Sequence, residues 1–337
     1  MFFRKKAAFF GLEEWEKDRI KKNLKGYDIR FFDKSISAEN VDKIRDVQVI
    51  GIFIYSRMNA DILDRLPKLK IIVTMSTGYD HIDLDECRKR NITVCNVPFY
   101  GENTVAEHTF ALILALSRKV FQSIERTKKG DFTYEGLTGF DLKGKTLGLI
   151  GTGHISAHVA RIAYGFEMNI LGYDLNQDSE LIKNYGMKYV ELNSLMKESD
   201  IVSLHLPLND KTRHIIDKKN LSIMKPTALI INTARGGLID TDALVRALQR
   251  RKIAGAGLDV LEEENDIKEE KQLLSSESDQ THNVQTLLEN HILFQLDNAI
   301  VTPHNAFNSI EALERIIDTS IQNIKDFDKG SPKNIVR

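Results

Sequence analysis

The 337-residue chain has only two cysteines, Cys87 and Cys95. That excludes a disulfide framework and fits a reducing compartment. Neither thiol stands in a metal-type spacing, so both are expected to be buried and inert, Cys87 in a helix and Cys95 in a strand, and no metal site is expected. An excess of charge is also missing: 47 Lys and Arg face 48 Asp and Glu, for a formal net charge of −1. Binding to nucleic acid or a membrane surface through bulk charge is thereby excluded. The longest uncharged apolar run, FALILALS from Phe110, falls far short of the roughly 20 residues a membrane span requires. The opening MFFRKKAAFFG has charges but too short an apolar stretch for a secretory signal. There is no internal repeat beyond a general strand–helix pattern, and no low-complexity tail. A cytoplasmic enzyme or binding protein with small-molecule partners is the expectation these absences leave.

What is present is a long alternation of strands and helices. KKAAFFG, YDIRFF, VIGIFIY, KIIVTMS and ITVCNV are Ile-, Val- or Phe-rich strands, with amphipathic or short helices such as EEWEKDRIKKNL between some of them. A second series follows from Thr146: TLGLI, ILGYD, KYVEL, DIVSLHLP, ALIINTA, AGAGLDV and AIVTP. Strands alternating with helices imply parallel sheets covered on both faces, an α/β fold. Asn103 to Val120 reads as one long helix, apolar nearly all round its second half and therefore buried. Residues 262–289 form an acidic, Ser- and Gln-rich insertion, expected as a surface loop with helical pieces. In open α/β sheets ligands bind beyond the carboxyl ends of the strands. The loops after Ile150, Asp174, Leu204, Ile231 and Val260 should therefore ring one site.

LIGTGHISAHVA, from Leu149 to Ala160, has the form of a nucleotide-binding finger. Gly151 permits a tight turn after the strand. Gly153 lets a pyrophosphate approach the backbone, and a helix starting near His154 and Ile155 offers its N-terminal amides. The third glycine of the finger is replaced by Ser156. That position serves helix–strand packing, so Ser156→Gly is expected to shift stability or cofactor affinity by under about 1 kcal/mol. Asp174 ends the next strand about 20 residues on, where an acid bonds the ribose hydroxyls of NAD and repels the 2′-phosphate of NADP. Leu175, Asn176 and Gln177 supply no base to offset it. The cofactor expected is NAD.

Three further strand ends carry chemistry: NTARGGLIDTDAL from Asn232, GLDVLEEE from Gly257 and TPHNAF from Thr302. They bring Arg235, an acid among Glu262 to Glu264, and His304 to the same edge. A guanidinium fork binds a carboxylate bidentately and polarises the neighbouring carbonyl. A histidine exchanges the proton of a carbonyl or hydroxyl oxygen. A carboxylate beside it fixes its tautomer and raises its pKa. Taken singly, Arg235 reads equally well as a turn residue, the acids as a solvated face and His304 as a loop histidine. Together, beside a nucleotide finger, they suit hydride transfer to a 2-oxo acid.

These segments, with STGYDHIDLD (Ser76–Asp85), VPFYGENTVAEHT (Val97–Thr109) and SLHLP (Ser203–Pro207), resemble the D-isomer-specific 2-hydroxyacid dehydrogenases along nearly the whole chain. The resemblance implies two flavodoxin- or Rossmann-like domains, the nucleotide domain at 99–303 inserted into a substrate domain made of 1–98 and 304–337. It implies Arg235, Glu264 and His304 as catalytic residues, Glu264 being selected by the family's Asp-Val-x-x-x-Glu pattern from Asp259. Thr77, Gly78 and Tyr100 join Arg235 and His304 around the substrate. Leu206, Pro207, Thr212, Thr233, Ala234, Arg235 and Asp259 join the finger residues around NAD. Phe53 or Tyr55, Tyr100 and Phe307 would line a compact pocket. The implied partners are a small 2-oxo or D-2-hydroxy acid, pyruvate and D-lactate foremost, and a second copy of the chain docked through the helix after Asn103. Hydroxypyruvate or glyoxylate reduction and an NAD(H)-sensing scaffold on the same fold remain the alternatives. Three departures from the family are Ser156, Met75 where lactate-type members often carry a base before the Ser76 turn, and the long acidic insertion between Glu264 and His304. No basic cluster near Ser76 awaits a phosphorylated substrate.

Overall fold

A computed structural model describes residues 4–262 and 284–336. The chain divides into two compact units, Met1–Tyr100 with Asn308–Arg337, and Gly101–Phe307. Each has a single, wholly parallel sheet.

In the first unit the strands are β1 (Lys5–Phe10), β2 (Tyr27–Phe32), β3 (Val49–Ile52), β4 (Ile71–Thr74) and β5 (Thr93–Cys95). Their order is β2-β1-β3-β4-β5, the flavodoxin-like arrangement. β3 and β4 are buried at every position, so VIGI and IIVT need apolar residues on both faces rather than an alternation. Helices α1 (Glu14–Asn23), α2 (Ala60–Asp64) and α3 (Leu84–Lys89) belong to the chain's start. Asn59 and Asp83 cap α2 and α3 by accepting from the Ile62 and Glu86 amides. The chain's other end returns a long helix to this unit. It runs from Ile310 to Asp328 and packs on α1 and β4. Arg19 of α1 grips it through both oxygens of Asp318 and one of Glu314. Residue Ile335 then bridges to Cys95 beside β5. Cys87 and Cys95 are free and buried, and burial pushes both thiols up to about 11, as inert thiols require.

In the second unit a helix, α4 (Glu102–Ser117), precedes a short α5 (Val120–Lys128). The single helix expected over 103–120 is thus two. The Ser117 carbonyl accepts from the Phe140 amide instead of continuing the helical ladder, and Lys119 adopts a left-handed φ of 51°. The sheet follows: β6 (Thr146–Ile150), α6 (His154–Gly165), β7 (Asn169–Tyr173), α7 (Ser179–Tyr185), β8 (Lys188–Tyr189), α8 (Leu192–Glu198), β9 (Ile201–Leu204), α9 (Lys218–Ile223), β10 (Leu229–Asn232), α10 (Thr241–Gln249), β11 (Gly255–Leu258), α11 (Val284–Gln295) and β12 (Ala299–Val301). Strand order is β12-β11-β10-β9-β6-β7-β8. That is the Rossmann order with one strand added beyond β11, and its switch point lies between β6 and β9. Two apolar layers cover the sheet. One joins Ile150, Val202, Ile230 and Leu258 to α8–α10, and the other joins Leu149, Ile201 and Ile231 to α4 and α6. The expected helical piece of the insertion is α11; residues 263–283, Glu264 among them, lie outside the described residues.

Candidate active site

The site of the second unit begins at the switch point. Gly151 sits at φ +89°, and a Cβ there would stand 2.7 Å from the His205 carbonyl oxygen, so only glycine fits the turn. Gly153 caps α6 and has open space where a side chain would be. No side chain caps that helix end. Its first amides and the positive end of its dipole therefore suit a pyrophosphate group. His154 lies at the exposed start of the helix, its Nδ1 3.7 Å from Glu102 Oε1. Ile155 points the other way and packs on the core under β6.

Asp174 directly follows β7, at the strand end where the sequence pattern expects an acid. One carboxylate oxygen accepts from the Thr152 amide at 2.7 Å and the other from Asn176 at 3.0 Å. The acid thus ties the finger to the ribose-side loop. Tyr189 completes the tie, donating to Thr152 Oγ1 and accepting from the Asp178 amide. Ser156 is fully buried, and its hydroxyl donates to the Gly151 carbonyl. The serine is therefore bonded to the turn it follows, not merely small enough to fit beside it.

On the far side of the switch point, Leu206 packs on the core and Thr212 closes the following loop. The threonine donates to the Pro207 carbonyl and accepts from the Asn209 amide. His205 stays near Ser203 Oγ at 2.9 Å, and burial pushes its imidazole down to about 3. It is neutral at physiological pH.

Arg235, Asp259 and His304 follow β10, β11 and β12, which are neighbours in the sheet. Strands two apart lie about 10 Å from one another, so these loops share one edge. Asn232 shapes the first loop, accepting from the Ala234 amide and donating to the Arg235 carbonyl. Arg235 is half-buried, with Nη1 2.8 Å from the Ala234 carbonyl. Gly236 packs directly on backbone: a Cβ there would stand 2.0 Å from the Leu261 carbonyl carbon. Thr233 is buried and bonded to Thr109 of α4.

Asp259 faces away from solvent. It accepts from Thr302 Oγ1, from the Asn305 amide at 3.0 Å and from the Ala306 amide at 2.8 Å, with His108 Nε2 3.4 Å away. Burial alone would raise its pKa; the bonds from His108, Thr302, Ala306 and Asn305 outweigh that and hold it below the usual carboxylate range. Its own carbonyl accepts from the His304 amide. His304 therefore keeps a left-handed φ of 52°, which costs a non-glycine residue about 1–2 kcal/mol.

Among the acids of the LEEE run, Glu262 is not solvated. It is buried and accepts from Arg213, His214 and Thr241. It anchors the segment that leads toward Glu264. The expected substrate residues Thr77, Gly78 and Tyr100 belong to the first unit. There Ser76 donates to the Gly78 carbonyl, Asn96 to that of Thr77, and Arg315 to that of Tyr100, fixing the turn after β4. Sequence reasoning missed His205, His108 and Glu262. The first two stand in segments already singled out, SLHLP and AEHT, so their positions at a strand end and on the buried helix were the available signal.

A family model for the NAD binding domain of D-isomer specific 2-hydroxyacid dehydrogenases matches residues 110–306. The chain is 32% identical over 332 residues to a D-lactate dehydrogenase from Escherichia coli, across 96% of this chain and 97% of that protein. It is 36% identical over 304 residues to a glyoxylate reductase from Thermococcus litoralis, across 88% of this chain and 85% of that one. Its fold matches a crystal structure of D-lactate dehydrogenase from Aquifex aeolicus, complexed with NAD and lactic acid, with a TM-score of 0.86, 36% identity and 96% coverage of both chains. The chain belongs to the D-isomer specific 2-hydroxyacid dehydrogenase family. It is an NAD-dependent oxidoreductase, and its residues 110–306 match the family's NAD binding domain.

Proposed function

We propose that this enzyme interconverts a small 2-oxo acid and its D-2-hydroxy acid, with pyruvate and D-lactate as the pair. The observation that carries this reading is the presence of a half-buried arginine and a histidine on strand-end loops two strands apart, at the same sheet edge as the nucleotide finger. NAD supplies or accepts the hydride at substrate C2. Arg235 binds the substrate carboxylate with its fork and polarises the adjacent carbonyl. His304 delivers a proton to the carbonyl oxygen as C2 is reduced, and takes it back in the reverse direction. Glu264 is the proposed acid partner of His304. The first unit is proposed as the substrate domain, through its Thr77–Gly78 turn and Tyr100. Leu206, Pro207, Thr212, Thr233 and Ala234 are proposed to contact the cofactor. Asp259 is proposed to act on that side through the His304 loop, to which both its oxygens are bonded.

A cytoplasmic homodimer is proposed as the working form. Val120, Phe121, Ile124, Phe132 and Tyr134 expose apolar side chains on and just after α5, an unusual density for a free surface. Sedimentation of the wild type against Phe121→Asp checks the dimer.

The decisive experiment offers a panel of 2-oxo acids with NADH and NADPH in parallel. Expected is NADH oxidation with pyruvate and formation of D-lactate; no turnover with any 2-oxo acid sinks the reading. His304→Gln should lower kcat about 10²–10⁴-fold while leaving NADH binding nearly intact. Glyoxylate as the preferred substrate is the second reading, favoured by the identity to a glyoxylate reductase. The same panel separates the two.

A further inference from the structure

The two loops that carry Arg235 and His304 are both fastened to one turn of α4, by adjacent residues. Thr109 Oγ1 donates to the Val105 carbonyl, so its 3.1 Å contact with Thr233 Oγ1 is a bond donated by Thr233. Thr302 donates its hydroxyl proton to Asp259 Oδ1, so the 3.1 Å contact between His108 Nε2 and Thr302 Oγ1 is donated by the histidine. That fixes the His108 tautomer: Nε2 carries the proton. Asp259 then passes the constraint on, accepting the Asn305 and Ala306 amides that follow His304 and offering its carbonyl to the His304 amide.

We propose that His108 is a positioning residue for the reaction, holding His304 in its left-handed pose through the chain His108–Thr302–Asp259 from a helix that holds the Arg235 loop beside it. The proposal rests on the reading of His304 as the proton carrier. Three features make the helix suitable. α4 packs against α6, β10 and β11, so it is anchored under the nucleotide finger as well as under both loops. Its His108 and Thr109 side chains are the ones aimed at strand-end threonines. And a residue held at a costly φ needs its neighbours' bonds complete to stay there. An unconstrained loop would let the imidazole sample poses in which its proton misses the substrate oxygen, and such misplacement lowers kcat rather than cofactor binding.

The test compares wild type, His108→Ala and His108→Gln. The glutamine amide can donate at the same place. Hydrogen exchange at the Asn305 and Ala306 amides is read first, because it does not depend on the identity of the substrate. Expected is exchange at least tenfold faster in His108→Ala, restored toward wild type in His108→Gln, with the β6 amides unchanged. With the best 2-oxo acid, kcat should fall ten- to a hundredfold in the alanine variant while the KM for NADH holds, and recover in glutamine. Unchanged exchange and unchanged kcat in His108→Ala overturn the proposal. Faster exchange with full kcat overturns the role in the reaction, and a fall in thermal stability alone, with no kcat–KM split, reduces His108 to a structural residue. If the wild type turns over no 2-oxo acid, the reading of His304 fails, while the exchange data still decide whether His108 holds the loop.

Discussion

At the scale of the residue, the finger's serine is the clearest case of a part doing more than its size suggests. Ser156 is buried and donates to the Gly151 carbonyl, the turn whose glycine cannot be replaced. The small effect expected of Ser156→Gly is therefore corrected upward. Loss of a buried hydrogen bond, plus a glycine inside α6, should cost about 1–2 kcal/mol. Ser156→Ala separates the two terms, since it removes only the bond; thermal unfolding of both variants checks this, and equal stability of all three proteins removes the bond's role. Asp174 makes a second prediction. Its carboxylate bonds the Thr152 amide, and in its proposed role its charge would repel a 2′-phosphate. Asp174→Ala should raise the KM for NADH about tenfold or more and narrow the gap to NADPH, read from parallel titrations. The placement of Gly151, Asp174, Arg235 and His304 just past strand ends was legible because each follows a short apolar run closed by polar or glycine residues. Glu262 was not legible. Three consecutive acids look alike in sequence, and only the fold turns one of them onto Arg213, His214 and Thr241.

At the scale of the element, strands were easier to read than helix ends. Buried parallel strands are short apolar runs bounded by polar loops, and β3, β4, β9 and β10, buried at every position, fall where such runs occur. The break between α4 and α5 was hidden. Nothing local forbids a helix through Arg118 and Lys119; the Phe140 amide, more than twenty residues away, takes the Ser117 carbonyl out of the ladder. Gly236 shows the same dependence on distant chain. Its lack of a side chain lets the loop after β10 lie against the backbone after β11, the segment leading to Glu264. Gly236→Ala must push these loops apart. Expected is a loss of about 2–3 kcal/mol in stability, together with a tenfold or larger fall in kcat/KM as Arg235 shifts. A variant with normal unfolding and normal kcat/KM would falsify the requirement for close approach.

At the scale of the whole molecule, the order of strands was the part that pattern alone left open, because pairing is decided by packing between segments far apart in the chain. The two sheets differ in their strand order and also in how acid should act on them. In the second unit His205 is pushed down to about 3 by burial, against 6.5 for a free imidazole. The unfolded chain therefore binds a proton below about pH 6.5 that the folded unit refuses. Stability from this group is full above that pH and is lost as pH falls toward 3, with a slope of at most about 1.4 kcal/mol per unit. The residue's partial exposure softens that slope. Asp259 is held low, so its contribution is present above about pH 4 and lost only below it. The first unit has lowered carboxylates as well: Arg30 and Lys6 hold Asp46 down, and Arg90 and Lys89 hold Glu86 at about 2. Their support also fades only below about pH 4. Between pH 6.5 and 4.5, then, the second unit should weaken while the first does not. Hydrogen exchange resolved by residue is the measurement. The β9 and β10 amides should lose protection across that window, the β3 and β4 amides should keep theirs, and His205→Gln should flatten the first trend. Equal slopes in the two sheets, or the same slope in His205→Gln, would place the acid sensitivity in some group other than this imidazole.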